Sequence, residues 1–534
     1  LDSRLAEELQ NSISGGIVSL TTTEREITEL TNKENKMTAF PARIQDDHRA
    51  NDWRERLFPY CSFHVVITLI VVGFIFTLSR KGIADPDIWW HLHNAQYLAQ
   101  HHALPNSDMY SFTVAGHPWM NHEWLSELPY YYGWRALGLA GVNAVTFAVL
   151  TLIFLGVLYL AYRESGHFKA SVLATSFAVP LASVSFGPRT ILFGYAYMVV
   201  LLILLQRFRQ LGKAPLWTLP LLFCLWINTH GSWSLGLLIF SMIVAAGFVK
   251  FESGLIFSEP WTREQRRKLI LTWTASVAAL FVNPFGARLV FYPFDLAFRQ
   301  KLNIAHVAEW VSVNFHDTRG KLVILLLIAL MVSSLLRPRR WALAEVGVVL
   351  FALYSGLTYI RFLVLLAIVI TPVLAKMLDF VPHYRKEMDT PVVNAVVMSL
   401  IVGTIVFFWP REKQLEQWVS EQYPVEAVNY LESHPPSGHL LNGYLWGGYL
   451  NWRDPSVKVF VDSRVDIFEY SGVLKDYLEL LELKQPKTTL EKYEIQYVLF
   501  PRTEALTYVL EHDPAWKVLY SDQISILLER VDPK

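Results

Sequence analysis

Cys61-Ser-Phe-His-Val-Val-Ile-Thr-Leu-Ile-Val-Val-Gly-Phe-Ile-Phe-Thr-Leu-Ser79 is an apolar run that passes, within six residues, into Asp85-Pro-Asp-Ile-Trp-Trp-His-Leu-His93. About twenty helical residues cross a hydrocarbon layer roughly 30 Å thick, so the run reads as a membrane span delivered into a carboxylate-bearing, aromatic loop. Ahead of it, residues 1 to 55 are polar and lack the short apolar core and small-residue cleavage site of a secretory signal. The first span is therefore expected to stay as an anchor behind a polar tail. The leading stretch to Lys36 precedes Met37 and is assigned no function.

Working outward, further runs long enough to span, or nearly so, lie at 139 to 161, 169 to 186, 190 to 206, 215 to 229, 232 to 249, 269 to 284, 321 to 336, 341 to 358, 361 to 380 and 392 to 409, making eleven with the first. The composition agrees: 53% hydrophobic and 18% charged, where soluble domains carry about a quarter charged residues. Basic clusters fall on alternate connections: Arg54/Arg56, Arg163/Lys169, Arg207/Arg209/Lys213, Arg263/Arg266/Arg267/Lys268, Arg337/Arg339/Arg340 and Arg385/Lys386. The positive-inside rule then places the N-terminus in the cytoplasm of a multi-pass inner (plasma) membrane protein, with the C-terminus and the long first loop, 80 to 138, outside. Zero net charge leaves no footprint for nucleic acid. Two cysteines, Cys61 and Cys224, each in an apolar run, make neither a disulfide framework nor a zinc cluster and read as packing residues.

The expected organisation is a tail, 1 to 55, a transmembrane domain, 56 to 410, and a small extracytoplasmic α/β domain, 411 to 534. In the last, Tyr423 to Ser433 and Leu474 to Leu483 read as helices, and His439 to Asn442, Lys458 to Asp462, Tyr497 to Phe500 and Ile524 to Leu528 as strands.

Polar and aromatic residues are densest in the first loop. Pro86 stiffens the turn and Asp87 is placed to cap a helix running to Gln100, on which Asp87 and His91 share a face at i, i+4. A carboxylate beside an imidazole there could bind a metal, hold a base, or merely cap the helix, and Trp89-Trp90 could be an interfacial anchor. His122 and Glu123 open another helix, rich in aromatics through Trp134, suited to the membrane interface. Arg189, Asn228, His230, Glu309 and Arg361 all fall at outer ends of spans or in outer loops, and could converge beside the first loop. Arginine near hydrocarbon is costly and usually faces a cavity or an anion, so the group suggests an anionic headgroup site. Asp462, Arg464 and Asp466 could line an acceptor groove or form a structural ion pair, and Gly447-Gly448 could serve a docking turn.

The Asp85-Pro-Asp-Ile-Trp-Trp-His-Leu loop, Pro118-Trp with His122-Glu-Trp-Leu, Asn228-Thr-His-Gly, Asn442-Gly-Tyr-Leu-Trp-Gly-Gly-Tyr and Val461-Asp-Ser-Arg together resemble bacterial members of the GT-C superfamily of membrane glycosyltransferases. The likeness spans most of residues 60 to 530. It includes oligosaccharyltransferases, protein O-mannosyltransferases and the lipid A aminoarabinose transferase. The resemblance implies a polyprenyl-phosphate-linked sugar donor, a glycan, lipid or protein acceptor, and a first-loop acidic motif matching Asp85 and Asp87. Some members need a divalent metal (Mg or Mn), which would fall on Asp85, Asp87 and His91. The expected reaction is inverting sugar transfer with Asp85, or Asp87 with its competing cap role, as the base. His91, His122, Glu123, Arg189, His230, Glu309 and Arg361 would bind substrate. A non-catalytic scaffold or a lipid-linked glycan transporter is the alternative.

Overall fold

The computed structural model describes residues 60–80, 83, 85–385 and 389–531, and from Cys61 onward the chain is one compact unit. The predicted polar tail, the Arg54/Arg56 cluster and Lys386 lie outside the described residues.

Every apolar run contains a helix: Phe63–Ser79, Leu139–Ser165, Phe168–Ala182, Ile191–Leu211, Thr218–Ile227, Trp233–Ala246, Arg263–Ala279, Thr318–Leu336, Leu343–Thr358, Leu363–Met377 and Pro391–Phe407. Five stretches among the described residues are long and apolar enough to cross a membrane: Leu139–Ser165, Phe168–Ser185, Ile191–Leu211, Thr318–Leu336 and Ile360–Met377. A sixth is added if Pro391–Phe407 and Glu412–Ser420, bent by 54°, form one span. Several other helices stop early for visible reasons. Thr218–Ile227 ends where Asn228 Nδ2 donates to the carbonyls of Cys224 at 2.8 Å and Val282 at 2.9 Å. Arg263–Ala279 spends its first turns on charged residues behind a Thr262/Gln265 capping box.

The bundle is organised around Leu363–Met377, which is buried continuously from Leu363 to Ala375 and packs on Phe168–Ala182 and Leu139–Ser165. Pro391–Phe407 has no buried residue and is apolar on all sides, as suits a lipid-facing helix. Cys61 and Cys224 are free and half-buried.

The C-terminal part holds a four-stranded mixed sheet ordered His439–Asn442, Ile495–Pro501, Ser525–Arg530, Trp516–Ser521, the first pair parallel and the rest antiparallel. Ile495–Pro501 is central and almost continuously buried, which explains its unalternating apolar sequence. Two predicted elements change. Lys458 to Asp462 is not a strand of this sheet; its backbone pairs with the first loop, Phe112 N–H donating to Val459 O at 3.1 Å and Val459 N–H to Tyr110 O at 3.1 Å. Trp516–Ser521 is an unpredicted edge strand, because its sequence is too exposed to show an apolar face.

First loop and C-terminal part thus share a core. Trp89 stacks edge-on against Tyr423 and Tyr449, with centroids 5.4 and 5.0 Å away, and Trp90 packs on Trp119, so the tryptophan pair is buried rather than an interfacial anchor. Gly448 explains the closeness of the two parts: a Cβ there would stand 3.1 Å from the Pro86 carbonyl and 3.4 Å from Trp90. The glycine pair lies in a helix, Gly447–Arg453, that docks on Asp87–His101.

Candidate active site

The helix Asp87–His101 projects its first turn toward one end of the bundle. Asp85 Oδ1 accepts the Asp87 amide at 3.0 Å, so the capping role expected of Asp87 belongs to Asp85. Asp85 Oδ2 is paired with Arg189 Nε, Arg189 Nη1 with Glu309, and Arg361 Nε lies 4.0 Å from the other Glu309 oxygen. Arg361 Nε is buried with no hydrogen-bond acceptor among the described residues, and the guanidinium rests 4.4 Å over the Trp310 ring. The two arginines come from separate elements with one logic. Arg189 stands two residues before the helix Ile191–Leu211, and Arg361 two before Leu363–Met377, so each lies near a helix N-terminus, where the dipole already favours an anion. Glu309 is carried by the loop ahead of Thr318–Leu336, which is pinned by Ile360 N–H to Val311 O at 3.0 Å and Val313 N–H to Leu357 O at 3.1 Å.

Asp87 is half-buried beside this chain, and its carboxylate accepts from Trp90 Nε1 at 3.3 Å. Burial, then the neighbouring Asp85 charge, pushes its pKa well above the ordinary carboxylate range, against the opposing effects of Ser463 and Arg189. Arg189 is raised by Asp85 and Glu309 against its own burial, and Glu309 is held below its usual value by Arg189 and Arg361 against its burial.

A second cluster adjoins the first. Glu123 receives three imidazoles: His230 Nε2 at 3.3 Å, His91 Nε2 at 3.5 Å and His122 Nε2 at 3.8 Å. Behind it, Glu127 takes His91 Nδ1 at 2.9 Å, Asn94 Nδ2 at 3.2 Å and Asn121 Nδ2 at 2.8 Å, and Tyr110 donates to Asn94 at 2.5 Å. Burial drives Glu127 up to about 8 and His91 down to about 4, so the pair favours a neutral imidazole beside a protonated carboxyl. Burial likewise pushes His230 down, with Arg361 adding to the effect. Asn228 ties this cluster to the bundle by accepting Trp124 Nε1 at 3.1 Å.

The structure therefore brings Asp85, Asp87, His91, His122, Glu123, Arg189, His230, Glu309 and Arg361 into two abutting clusters. The set Asp85, Asp87 and His91 does not fit a divalent ion: Asp85 Oδ2 is taken by Arg189, and both His91 nitrogens face glutamates. Among the described residues no group of three His, Cys, Asp or Glu is disposed to hold a metal ion. Asp462, Arg464 and Asp108 form a fully buried ion triad, with Arg464 Nη2 at 2.6 Å from Asp462 and 2.7 Å from Asp108, which is the structural alternative to a groove. Asp466 instead accepts from Tyr292 at 3.3 Å.

Sequence reading missed Glu127, Asn121 and Tyr444. Glu127 stands one helical turn after Glu123, a spacing that could have marked it. Tyr444, raised by burial and then by Asp87, Asp462 and Glu309, lines a cavity of about 260 Å³ with Leu302, His306, Trp446, Tyr477 and Phe500. That cavity lies between the loop segment Leu302 to Val307 and the C-terminal part.

No family profile and no curated protein sequence matches the chain. It is similar in structure to the Archaeoglobus fulgidus oligosaccharyltransferase in its apo form (TM-score 0.48, 11% identity, 88% of this chain and 74% of that one). It is similar also to the Archaeoglobus fulgidus oligosaccharyltransferase AglB in complex with an inhibitory peptide and a dolichol-phosphate (TM-score 0.48, 12% identity, 85% and 70%). A third similar structure is ArnT from Cupriavidus metallidurans bound to undecaprenyl phosphate (TM-score 0.46, 13% identity, 90% and 99%).

Proposed function

We propose that this chain is a membrane glycosyltransferase that moves a sugar from a polyprenyl-phosphate-linked donor to an extracytoplasmic acceptor, with inversion at the anomeric carbon. The observation that carries the reading is the chain in which the first-loop carboxylate Asp85 meets Arg189 and Glu309 links Arg189 to Arg361, each arginine standing just ahead of a bundle helix. In this reading the eleven apolar helices of residues 56 to 410 are embedded in the membrane, the short ones crossing incompletely or as broken spans. The N-terminus is cytoplasmic, and residues 411 to 534 form the outer domain.

The acceptor hydroxyl or amide attacks the anomeric carbon from the face opposite the phosphate. Its proton passes to Asp87, whose raised pKa makes it the better base of the pair, while Asp85 is committed to Arg189 and to the Asp87 amide. The anomeric carbon–oxygen bond breaks toward the phosphate, which keeps the electron pair. Arg361, whose Nε makes no hydrogen bond among the described residues, and Arg189 stabilise the charge that develops there. Glu123 and its three histidines bind the sugar hydroxyls, and the Tyr444 cavity receives the acceptor.

The test is reconstitution with a panel of polyprenyl-phosphate sugars and acceptors. Wild type is expected to transfer, and Asp87→Asn to bind donor without transferring. Undiminished turnover in a variant carrying both Asp85→Asn and Asp87→Asn would remove the mechanism. The absence of donor binding by folded wild type across the panel would favour a non-catalytic scaffold, which the self-paired Asp85–Arg189–Glu309 chain would also suit.

A further inference from the structure

The two helices that start at the site arginines end at a second charged cluster. Arg189 precedes Ile191–Leu211 and Arg209 stands in its last turn; Arg361 precedes Leu363–Met377, whose last turn carries Lys376. At 1.5 Å per residue, Arg189 and Arg209 are roughly 30 Å apart along the axis, about one hydrocarbon thickness. At this far end Arg209 Nη2 meets Glu164 at 2.5 Å, Lys376 Nζ bridges Glu164 at 2.8 Å and Glu345 at 3.2 Å, and Arg339 Nη2 holds Glu345 at 2.6 Å. Arg339 lies 4.0 Å over the Trp341 ring, and its buried Nε has no hydrogen-bond partner among the described residues.

Glu164, Arg209, Glu345 and Lys376 border a cavity of about 110 Å³ whose remaining wall, apart from Gln206, is apolar, with Leu205, Ile243, Val348 and Val373. The ions and the cleft together make an amphiphilic receptor at headgroup depth, remote from the transfer site. We propose that it binds a zwitterionic phospholipid with a primary ammonium headgroup, of the phosphatidylethanolamine kind. One acyl chain enters the cleft, the phosphate lies on Arg209 and Lys376, and the ammonium lies on Glu164 and Glu345.

Charge complementarity selects this occupant. The cluster carries both signs, Arg209, Arg339 and Lys376 against Glu164 and Glu345. A purely anionic headgroup would meet two carboxylates besides its cations, whereas a phosphate-ammonium headgroup finds a counterpart for each charge. A quaternary ammonium has no N–H to donate and would meet the carboxylates by charge alone, without the charge-assisted hydrogen bonds open to a primary ammonium.

The experiment uses the full chain, delipidated in detergent, and follows thermal denaturation against added phosphatidylethanolamine, phosphatidylglycerol and phosphatidylcholine. A lipid that binds the folded state raises the midpoint with concentration. Phosphatidylethanolamine is expected to do so at roughly tenfold lower concentration than either other lipid, about 1.4 kcal/mol in binding. Ala344→Phe, which fills the cleft and leaves all five charged side chains in place, is expected to abolish that preference. A photoactivatable phosphatidylethanolamine on wild type gives a variant-free check, with labelling expected on peptides containing residues 160–164, 202–209, 243, 344–349 or 369–376. Equal response to the three lipids, a preference that survives Ala344→Phe, or labelling confined to other segments would overturn the proposal.

Discussion

His91 Nδ1 lies 2.9 Å from Glu127 Oε1, both side chains are buried, and no lysine or arginine among the described residues contacts the Glu127 carboxyl. Glu127 is raised from 4.5 to about 8, with burial as the leading cause. A group whose folded pKa is raised stabilises the fold most below its unfolded pKa and loses that stabilisation as pH climbs through the folded value. Stability is therefore expected to fall between about pH 4.5 and pH 8 from this group. His91, lowered to about 4, acts in the opposite sense: its stabilisation is present above 6.5 and lost as pH falls toward 4. Glu127→Gln is expected to flatten the decline toward pH 8 in detergent melting curves recorded from pH 5 to 9. An unchanged slope would mean that Glu127 is ionised throughout.

As the base of the proposed mechanism, Asp87 is expected to set the acid side of the rate profile. Because burial and Asp85 raise it, kcat/KM is expected to fall with acid at a pH clearly above the ordinary carboxylate value of about 4. Arg189 opposes that rise, so Arg189→Gln is expected to move the acid limb further up while lowering the rate. A limb that stays put in Arg189→Gln would place the base elsewhere.

In the proposed mechanism Arg361 offers charge to the leaving phosphate, and its Nε makes no hydrogen bond among the described residues. Arg361→Gln is expected to lower kcat by about 10²-fold, the scale of one transition-state donor. Arg361→Lys should recover only part of this, since an ammonium lacks the planar fork. Single-turnover kinetics with saturating donor would separate this from weaker binding.

Arg464 is a different kind of arginine. Its guanidinium is buried with Asp462 and Asp108 and stacks 4.6 Å from Tyr110 and 4.9 Å from Trp119, joining the first loop to the C-terminal part. Arg464→Met leaves two buried carboxylates unpaired and is expected to destabilise by about 3–5 kcal/mol. The triple change Arg464→Met, Asp462→Leu, Asp108→Leu should recover part of that loss, as read from proteolysis of the first loop.

The sequence by itself determined the helical bundle, because apolar runs of spanning length have one solution in hydrocarbon: a helix that satisfies its own backbone. It also determined where polar chemistry gathers, since Asp85, Asp87, His91, His122 and Glu123 crowd into one loop, and residues as costly near lipid as Arg189 and Arg361 stand out in an apolar context. Local pattern, however, says nothing about partners hundreds of residues away. Only the tertiary structure decided that Asp85 meets Arg189, that Glu309 joins Arg189 to Arg361, that Lys458 to Asp462 pairs with the first loop, and that Asp85 rather than Asp87 caps the helix. It also decided how many runs are long enough to cross, because helix ends are set by side chains such as Asn228 that bond to carbonyls on a neighbouring segment. Periodicity reports which face of an element is apolar, whereas charge pairing and burial depend on which elements pack together.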